Sequence, residues 1–550
     1  MRSPRAVLVA IVSLFLAVVG VLGSAQLNRE RGTSRHPQLS QTQTVELVPQ
    51  AQKLTPKFAS AVGYATHTYA PESVAVADLN LDGHLDVVVA SECVDNQDCA
   101  GVVSVFLGKG DGTFQPAVTY SSGGYAATSI AVVDVNGDGK PDVLVANYCA
   151  DSACKTTGSV GVLLGNGDGT LQPAVEYDSG GYLATSLAVA DVNGDGKPDA
   201  LIAHYCVSPS DCSTGAVGVL LGNGNGGFQT PTVYGSGGIS AISVATGDLN
   251  DDGHNDIVVI NDCETGCGTK ASMGGVGVML GVGDGTFTPV VVYSSGGDDP
   301  ASVAIGDING DGRPDIVVAN CGATFDSCFG VGAQGYMVVM DGNGDGTFQP
   351  GVGYGSGAVS ANAVVIADLN GDSKPDLVVG NTCKKNNKSD NCVWPGEVSV
   401  LLGDGNGAFQ KATIYGSGGN AAVSVQVADL NGDGRPDLVA ADEGSAALGV
   451  LLNITSYTTK TALSSSPNPS IVNQSVSLTA KISSATTVPD GEVVTFYNGA
   501  TKVGTGTTAS SVAILTTSFS AAGTYTINAS YPGDAFHKPS SGKVKQMVKP

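Results

Sequence analysis

Asp134-Val-Asn-Gly-Asp-Gly-Lys-Pro-Asp142 decides how the whole chain is read. Carboxylates stand at its positions one, five and nine, an amide at three and a glycine at six. The same pattern starts again at Asp78, Asp191, Asp248, Asp307, Asp368 and Asp429, so seven copies follow at intervals of 56, 57, 57, 59, 61 and 61 residues. Self-similarity at so regular a period marks a repeat architecture. The length agrees, because 550 residues exceed what one hydrophobic core of roughly 250–300 residues can organise.

Outward from the loop, the first copy is entered by an alternating stretch, Ser73 to Asp78, and left by a continuous apolar one, Val87 to Ala90. A third strand, Val102 to Leu107, and a Gly110 to Phe114 turn lead to a fourth, Gln115 to Tyr120. Four antiparallel strands repeated radially make a propeller blade. The 77 glycines and only 14% charged residues suit short strands and tight turns, so the fold class is all-β. The seventh unit stops at Leu448 to Asn453 without its fourth strand, and Phe58 to Tyr64 aligns with Phe114 to Tyr120 at the 56-residue offset that separates Asp78 from Asp134. That segment is expected to complete the seventh blade and close the ring over residues 58–453, removing exposed sheet edges.

These loops, with their Gly-x-Gly-Asp-Gly-Thr-Phe turns, resemble FG-GAP/VCBS repeats and are similar to the integrin alpha-subunit propeller. The resemblance implies a seven-bladed β-propeller with calcium in the loops between first and second strands. Residues 458–550 resemble a bacterial Ig-like β-sandwich, through Ser466 to Pro469, Val476 to Ala480, Gly491 to Phe496, Gly523 to Ile527 and Tyr531 to Asp534. Alternating strands at 8–12-residue spacing support a sandwich independently.

Calcium takes six to eight oxygen ligands, which a short loop supplies from alternating side chains and one backbone carbonyl. The expected ligands are Asp78, Asn80, Asp82, the His84 carbonyl and Asp86 in the first loop, and Asp134, Asn136, Asp138, Lys140 and Asp142 in the second. The third and fourth offer Asp191, Asn193, Asp195, Lys197 and Asp199, then Asp248, Asn250, Asp252, His254 and Asp256. The fifth to seventh offer Asp307, Asn309, Asp311, Arg313 and Asp315; Asp368, Asn370, Asp372, Lys374 and Asp376; and Asp429, Asn431, Asp433, Arg435 and Asp437. Position seven, basic throughout, is expected to offer its carbonyl rather than its side chain. The competing reading is an ordinary Asp/Asn/Gly surface turn, which seven recurrences with fixed carboxylates disfavour. About seven Ca²⁺ are expected, the sixth site weakest because Ser373 replaces glycine. The formal charge of −24 fits this cofactor and opposes nucleic-acid binding.

Arg2 and Arg5, an apolar run from Ala6 to Leu22 and Gly23-Ser24-Ala25 read as a secretory signal over residues 1–25. The rival is an uncleaved membrane anchor, the one route to a membrane in this reading. Residues 26–57 are polar and expected to be a flexible linker. In an exported chain the twelve cysteines pair by proximity: Cys93 with Cys99, Cys149 with Cys154, Cys206 with Cys212, Cys263 with Cys267, Cys321 with Cys328, and Cys383 with Cys392. Zinc would want shorter spacing in pairs, which only Cys263 and Cys267 approach.

The cysteine loops differ in length and sequence, and strand alternation puts them on the face opposite the aspartate loops. Variable loops on a rigid frame suit recognition of an extracellular protein or glycan. Tyr125, Tyr148, Tyr182, Tyr205, Phe325, Phe329 and Trp394 lie in or beside them, either as contact surface or as cover for the blade tops. No catalytic constellation, nucleophile elbow or phosphate loop is found, so the expectation is a secreted or cell-surface binder, not an enzyme. The alternative is a polysaccharide-active lyase or hydrolase, since some lyases resemble this propeller.

Overall fold

The computed structural model describes residues 55–264, 273–323, 334–384 and 394–550. The expected signal segment, the linker up to residue 54, Cys267, Cys328, Cys392, Phe325 and Phe329 lie outside them. In the first unit, Tyr69–Ala77, Asp86–Cys93 and Ala100–Phe106 pair antiparallel in order. The long strand Val118–Val133 then does two jobs: its start pairs with Ala100–Phe106, and its end pairs with Asp142–Cys149 of the second unit. Two units thereby share one seven-stranded sheet, while the other repeats form five four-stranded sheets among the described residues. The molecule is a propeller followed by an Ig-like domain.

Second strands such as Asp86–Cys93 are buried almost throughout, which explains their unbroken apolar sequence: neighbouring units pack against both of their faces. One core cluster joins Val74, Val87 and Phe106 of the first unit to Val423, Val439 and Leu448 of the seventh. Ring closure follows the sequence expectation. Val62–Ala65 pairs with Ala447–Leu451, Tyr64 opposite Leu448, and completes the sheet with Asp437–Asp442 and Ala422–Ala428. The ring begins slightly before residue 58, because Tyr415 Oη donates to the Pro56 carbonyl at 2.5 Å and the Ile454 amide to the Lys57 carbonyl at 2.7 Å.

Two kinds of joint hold consecutive units. Outer-strand tyrosines meet the turn phenylalanine of the next unit edge to face, as in Tyr64–Phe114 at 5.5 Å between centroids and Tyr177–Phe228 at 5.7 Å, each contributing roughly 0.5–1.5 kcal/mol. Phe58 fills the same role against Tyr415 at 5.0 Å, in keeping with its alignment to Phe114. Nearer the axis, Ser73 Oγ accepts from the Ile130 amide of the second unit at 3.0 Å, and Ser129, Ser186 and Ser302 do the same for Leu187, Val244 and Val364. Ser424 accepts from the Val74 amide at 3.3 Å and so ties the seventh unit back to the first, 350 residues away in sequence.

The C-terminal domain is built from eight strands between Lys460–Ser466 and Ser540–Lys549. Val476, Leu478, Phe496, Ile527 and Tyr531 fill its core, from the alternating positions that face inward.

Candidate metal loops and the opposite face

Each nonapeptide winds around its first aspartate. In the first loop the Asp78 carboxylate accepts from the Asp82 amide at 3.1 Å and the Gly83 amide at 2.8 Å, and Asn80 Oδ1 accepts from Asp82 at 3.0 Å. Asp82 Oδ1 in turn accepts from the His84 amide at 2.8 Å. The second, fifth and seventh loops repeat all four bonds, as do the remaining three. Positions one, three and five are therefore gathered around one turn by the backbone itself.

Position nine behaves differently. Asp86 is fully buried; its Oδ2 accepts from the Leu79 amide at 2.8 Å and its Oδ1 from the Gly108 amide, past the end of the third strand, at 2.7 Å. The same two bonds recur at Asp142, Asp199, Asp256, Asp315, Asp376 and Asp437, the last with Asn453 in place of the glycine. The closing aspartate is thus a pin between loop and sheet as well as an expected ligand. Sequence reasoning missed this role, because its partner after the third strand is remote along the chain. Side chains at position seven lie over the turn glycines, His84 over Gly110 and Lys140 over Gly167 among them.

Burial raises the pKa of all seven closing aspartates, and repulsion by nearby carboxylates adds to it; Asp376 and Asp437 are pushed up to about 7. Among the described residues, no three His, Cys, Asp or Glu side chains converge tightly enough to hold a metal on their own. The donor set is nevertheless all oxygen, three carboxylates and an amide per loop, clustered without compensating charge at its closing member. That chemistry fits a hard cation and not zinc. Ser373 at position six of the sixth loop sits at φ 62°, and Leu81 and Asp251 at position four of the first and fourth loops at 57° and 58°, all in the left-handed region their glycine counterparts occupy, so these three loops carry backbone strain.

The sixth and seventh loops also carry the Ig-like domain. Phe536 covers Gly371, Ala535 covers Gly434, and Tyr457 Oη donates to the Asn370 carbonyl at 3.1 Å. Arg435 donates to the Ala535 carbonyl at 2.8 Å and to the Asn453 carbonyl at 2.7 Å while pairing with Asp433. In the second and third loops, by contrast, Gly139 and Gly196 face open space.

On the opposite face, Cys93–Cys99, Cys149–Cys154 and Cys206–Cys212 are bonded as expected. Cys263, Cys321 and Cys383 are also disulfide-bonded. Tyr125, Tyr148, Tyr182 and Tyr205 are half-buried there, and Tyr182 Oη donates to the Cys154 carbonyl at 2.8 Å. Among the described aromatic residues of this face, Trp394 and Tyr69 are exposed. His204 Nε2 lies 2.8 Å from Ser179 Oγ, but both are wholly buried, and burial pushes the imidazole down to about 3. Ser122–Asn147, Ser236–Asn261 and Ser417–Asp442 make the same brace in other units, so this pair joins strands and offers no nucleophile to solvent.

The FG-GAP-like repeat model matches residues 78–145, 148–202, 205–259, 267–318, 328–379 and 389–440, more than half of the chain. This protein belongs to the FG-GAP-like repeat family. The bacterial Ig-like domain (group 3) model matches residues 463–549. Integrin alpha-IIb of Mus musculus is 32% identical to this FG-GAP-like chain over 225 residues, 36% of this chain and 20% of the integrin. Phosphatidylinositol-glycan-specific phospholipase D of Bos taurus is 31% identical over 145 residues, 23% of this chain and 17% of its own. The chain thus spans a fifth or less of these curated relatives. Among solved structures, the exotype rhamnogalacturonan lyase YesX aligns with a TM-score of 0.40 at 15% identity, over 71% of this chain and 75% of that one. Bonded cysteines persist in oxidising compartments, which places this FG-GAP-like protein outside the cell or on its surface. No helix among the described residues is long and apolar enough to cross a membrane.

Proposed function

We propose that this is a secreted or cell-surface binding protein: a seven-bladed propeller stiffened by about seven Ca²⁺ on one face, which recognises an extracellular protein or glycan with the other. The observation that carries the reading is the contrast between the faces. Seven aspartate loops share one hydrogen-bond pattern, whereas the disulfide-braced loops opposite differ in length and sequence. Uniform loops suit support, and varied loops on a stiff frame suit recognition at low entropic cost. Each loop sets three carboxylates against one basic residue at position seven, with Lys140, Lys197 and Arg435 pairing only with the position-five aspartate; calcium would offset the remaining negative charge, held by Asp, Asn and the position-seven carbonyl.

Arrays of extracellular proteins and of microbial and plant glycans, probed with and without calcium, test the proposal. Retention without turnover, weakened by substitutions in the cysteine loops, is the expected result. New reducing ends or unsaturated products would instead assign the chain to the polysaccharide-active enzymes.

A further inference from the structure

Each first strand carries one extra residue where its register against the second strand shifts; in four units this is Glu72, Thr128, Thr185 and Asn362. At this bulge the Thr128 hydroxyl is shared between the Ala146 carbonyl of its own unit at 3.2 Å and the Ala184 carbonyl of the next unit at 3.1 Å, and the Thr185 hydroxyl between Ala203 at 3.0 Å and Ala241 of the next unit at 2.9 Å. Asn362 Nδ2 donates to the Ala422 carbonyl at 3.0 Å. The first unit puts a carboxyl group where these units put a donor. Glu72 is wholly buried, and neither of its carboxyl oxygens has a hydrogen-bond partner. The carbonyl equivalent to those of Ala184, Ala241 and Ala422 belongs to Ala127, one residue before Thr128.

An ionised carboxylate cannot donate, and here it meets further acids. Glu92 acts on it from the second strand of its own unit, and Glu443 from the short 3-10 turn Glu443–Ser445 of the seventh. Asp442, next to that turn, is committed to Ser417. A buried charge with neither counter-ion nor hydrogen bond is strongly disfavoured, and one proton resolves both deficits.

We propose that Glu72 is carried as a neutral carboxylic acid whose O–H makes, to the Ala127 carbonyl, the bond between units that Thr128, Thr185 and Asn362 make elsewhere, and that ionising it loosens the ring beside its closure. The electrostatics agree: burial drives Glu72 well above the ordinary carboxyl range, with Glu92 and Glu443 adding to it. Glu92 is pushed up to about 7, by burial first and Glu443 second, and burial raises Glu443. Because the folded pKa exceeds the unfolded one, the stability contributed by Glu72 is whole below the unfolded value and is lost as pH rises toward the folded one. The stability that Glu72 contributes at the ring closure is therefore greatest in acid and declines as pH rises.

The test is denaturant unfolding of the full chain at fixed saturating calcium, between about pH 5 and pH 8. Relative to Glu72→Gln, which keeps a neutral donor, the wild-type unfolding constant should rise about tenfold more per pH unit until Glu72 ionises. Glu72→Thr, copying Thr128, should match the glutamine variant. Parallel pH dependence in all three proteins overturns the proposal. Should neither variant fold, the wild type decides alone. A carboxylic-acid C=O infrared band persisting above the range where Glu92 titrates supports the proposal, and its absence overturns it.

Discussion

Ser373 holds a backbone conformation that six sister loops give to glycine, and it does so without losing the bond from its amide to Asp368 at 2.7 Å. The cost is backbone strain, about 1 kcal/mol. Ser373→Gly should therefore stabilise the protein by about that amount in urea unfolding and strengthen the sixth site. A variant no more stable than the wild type would place the weak site elsewhere. At this scale the sequence was legible where chemistry is local: spacing alone marked Asp78, Asn80 and Asp82 as one cluster. It was silent on Asp86 as a pin and on Glu72, because what distinguishes both is their burial and the strand or unit they face across the sheet.

Between elements, the serine that precedes the loop aspartate by five residues in six of the seven units separates structural from incidental polarity. Ser424 accepts the Val74 amide across the closure, whereas Ser243 is buried with an unpartnered hydroxyl. Ser424→Ala strands a buried amide and should cost about 1–3 kcal/mol, while Ser243→Ala should cost far less. Equal losses in chemical denaturation would contradict the joint described for Ser424. Ring closure itself was readable, since Phe58 and Tyr64 repeat Phe114 and Tyr120 at the loop offset, and the structure pairs Tyr64 with Phe114. The serine joints were not, because a serine within an apolar strand carries no sign of which neighbouring strand it will meet. The tie from Pro56 and Lys57 into the ring escaped for a similar reason, their polar context reading as linker.

At the scale of the molecule, the Ig-like domain rests on two of the seven loops through Phe536, Ala535 and Tyr457. No sequence pattern announces that contact, which joins surfaces of two different folds. Phe536→Ala with Tyr457→Phe should release the domain without disturbing any expected ligand side chain. Faster proteolysis of the segment joining the two domains and a larger radius of gyration in solution scattering are the expected signs; unchanged values would contradict the docking. Metal at the sixth and seventh loops would stiffen the surface this domain sits on, so removing calcium should weaken the contact as well as the ring.

Calcium occupancy of the loops bears on all three scales, and thermal unfolding in calcium against EDTA, paired with a count of bound metal after dialysis, measures it most directly. A site held at a hundredfold excess over its Kd adds about 2.7 kcal/mol, so several occupied loops should raise the melting temperature by many degrees. That shift is expected together with about seven Ca²⁺ per chain, the stoichiometry set by the seven repeated loops. Coincident melts in calcium and EDTA, with no metal retained, would contradict it.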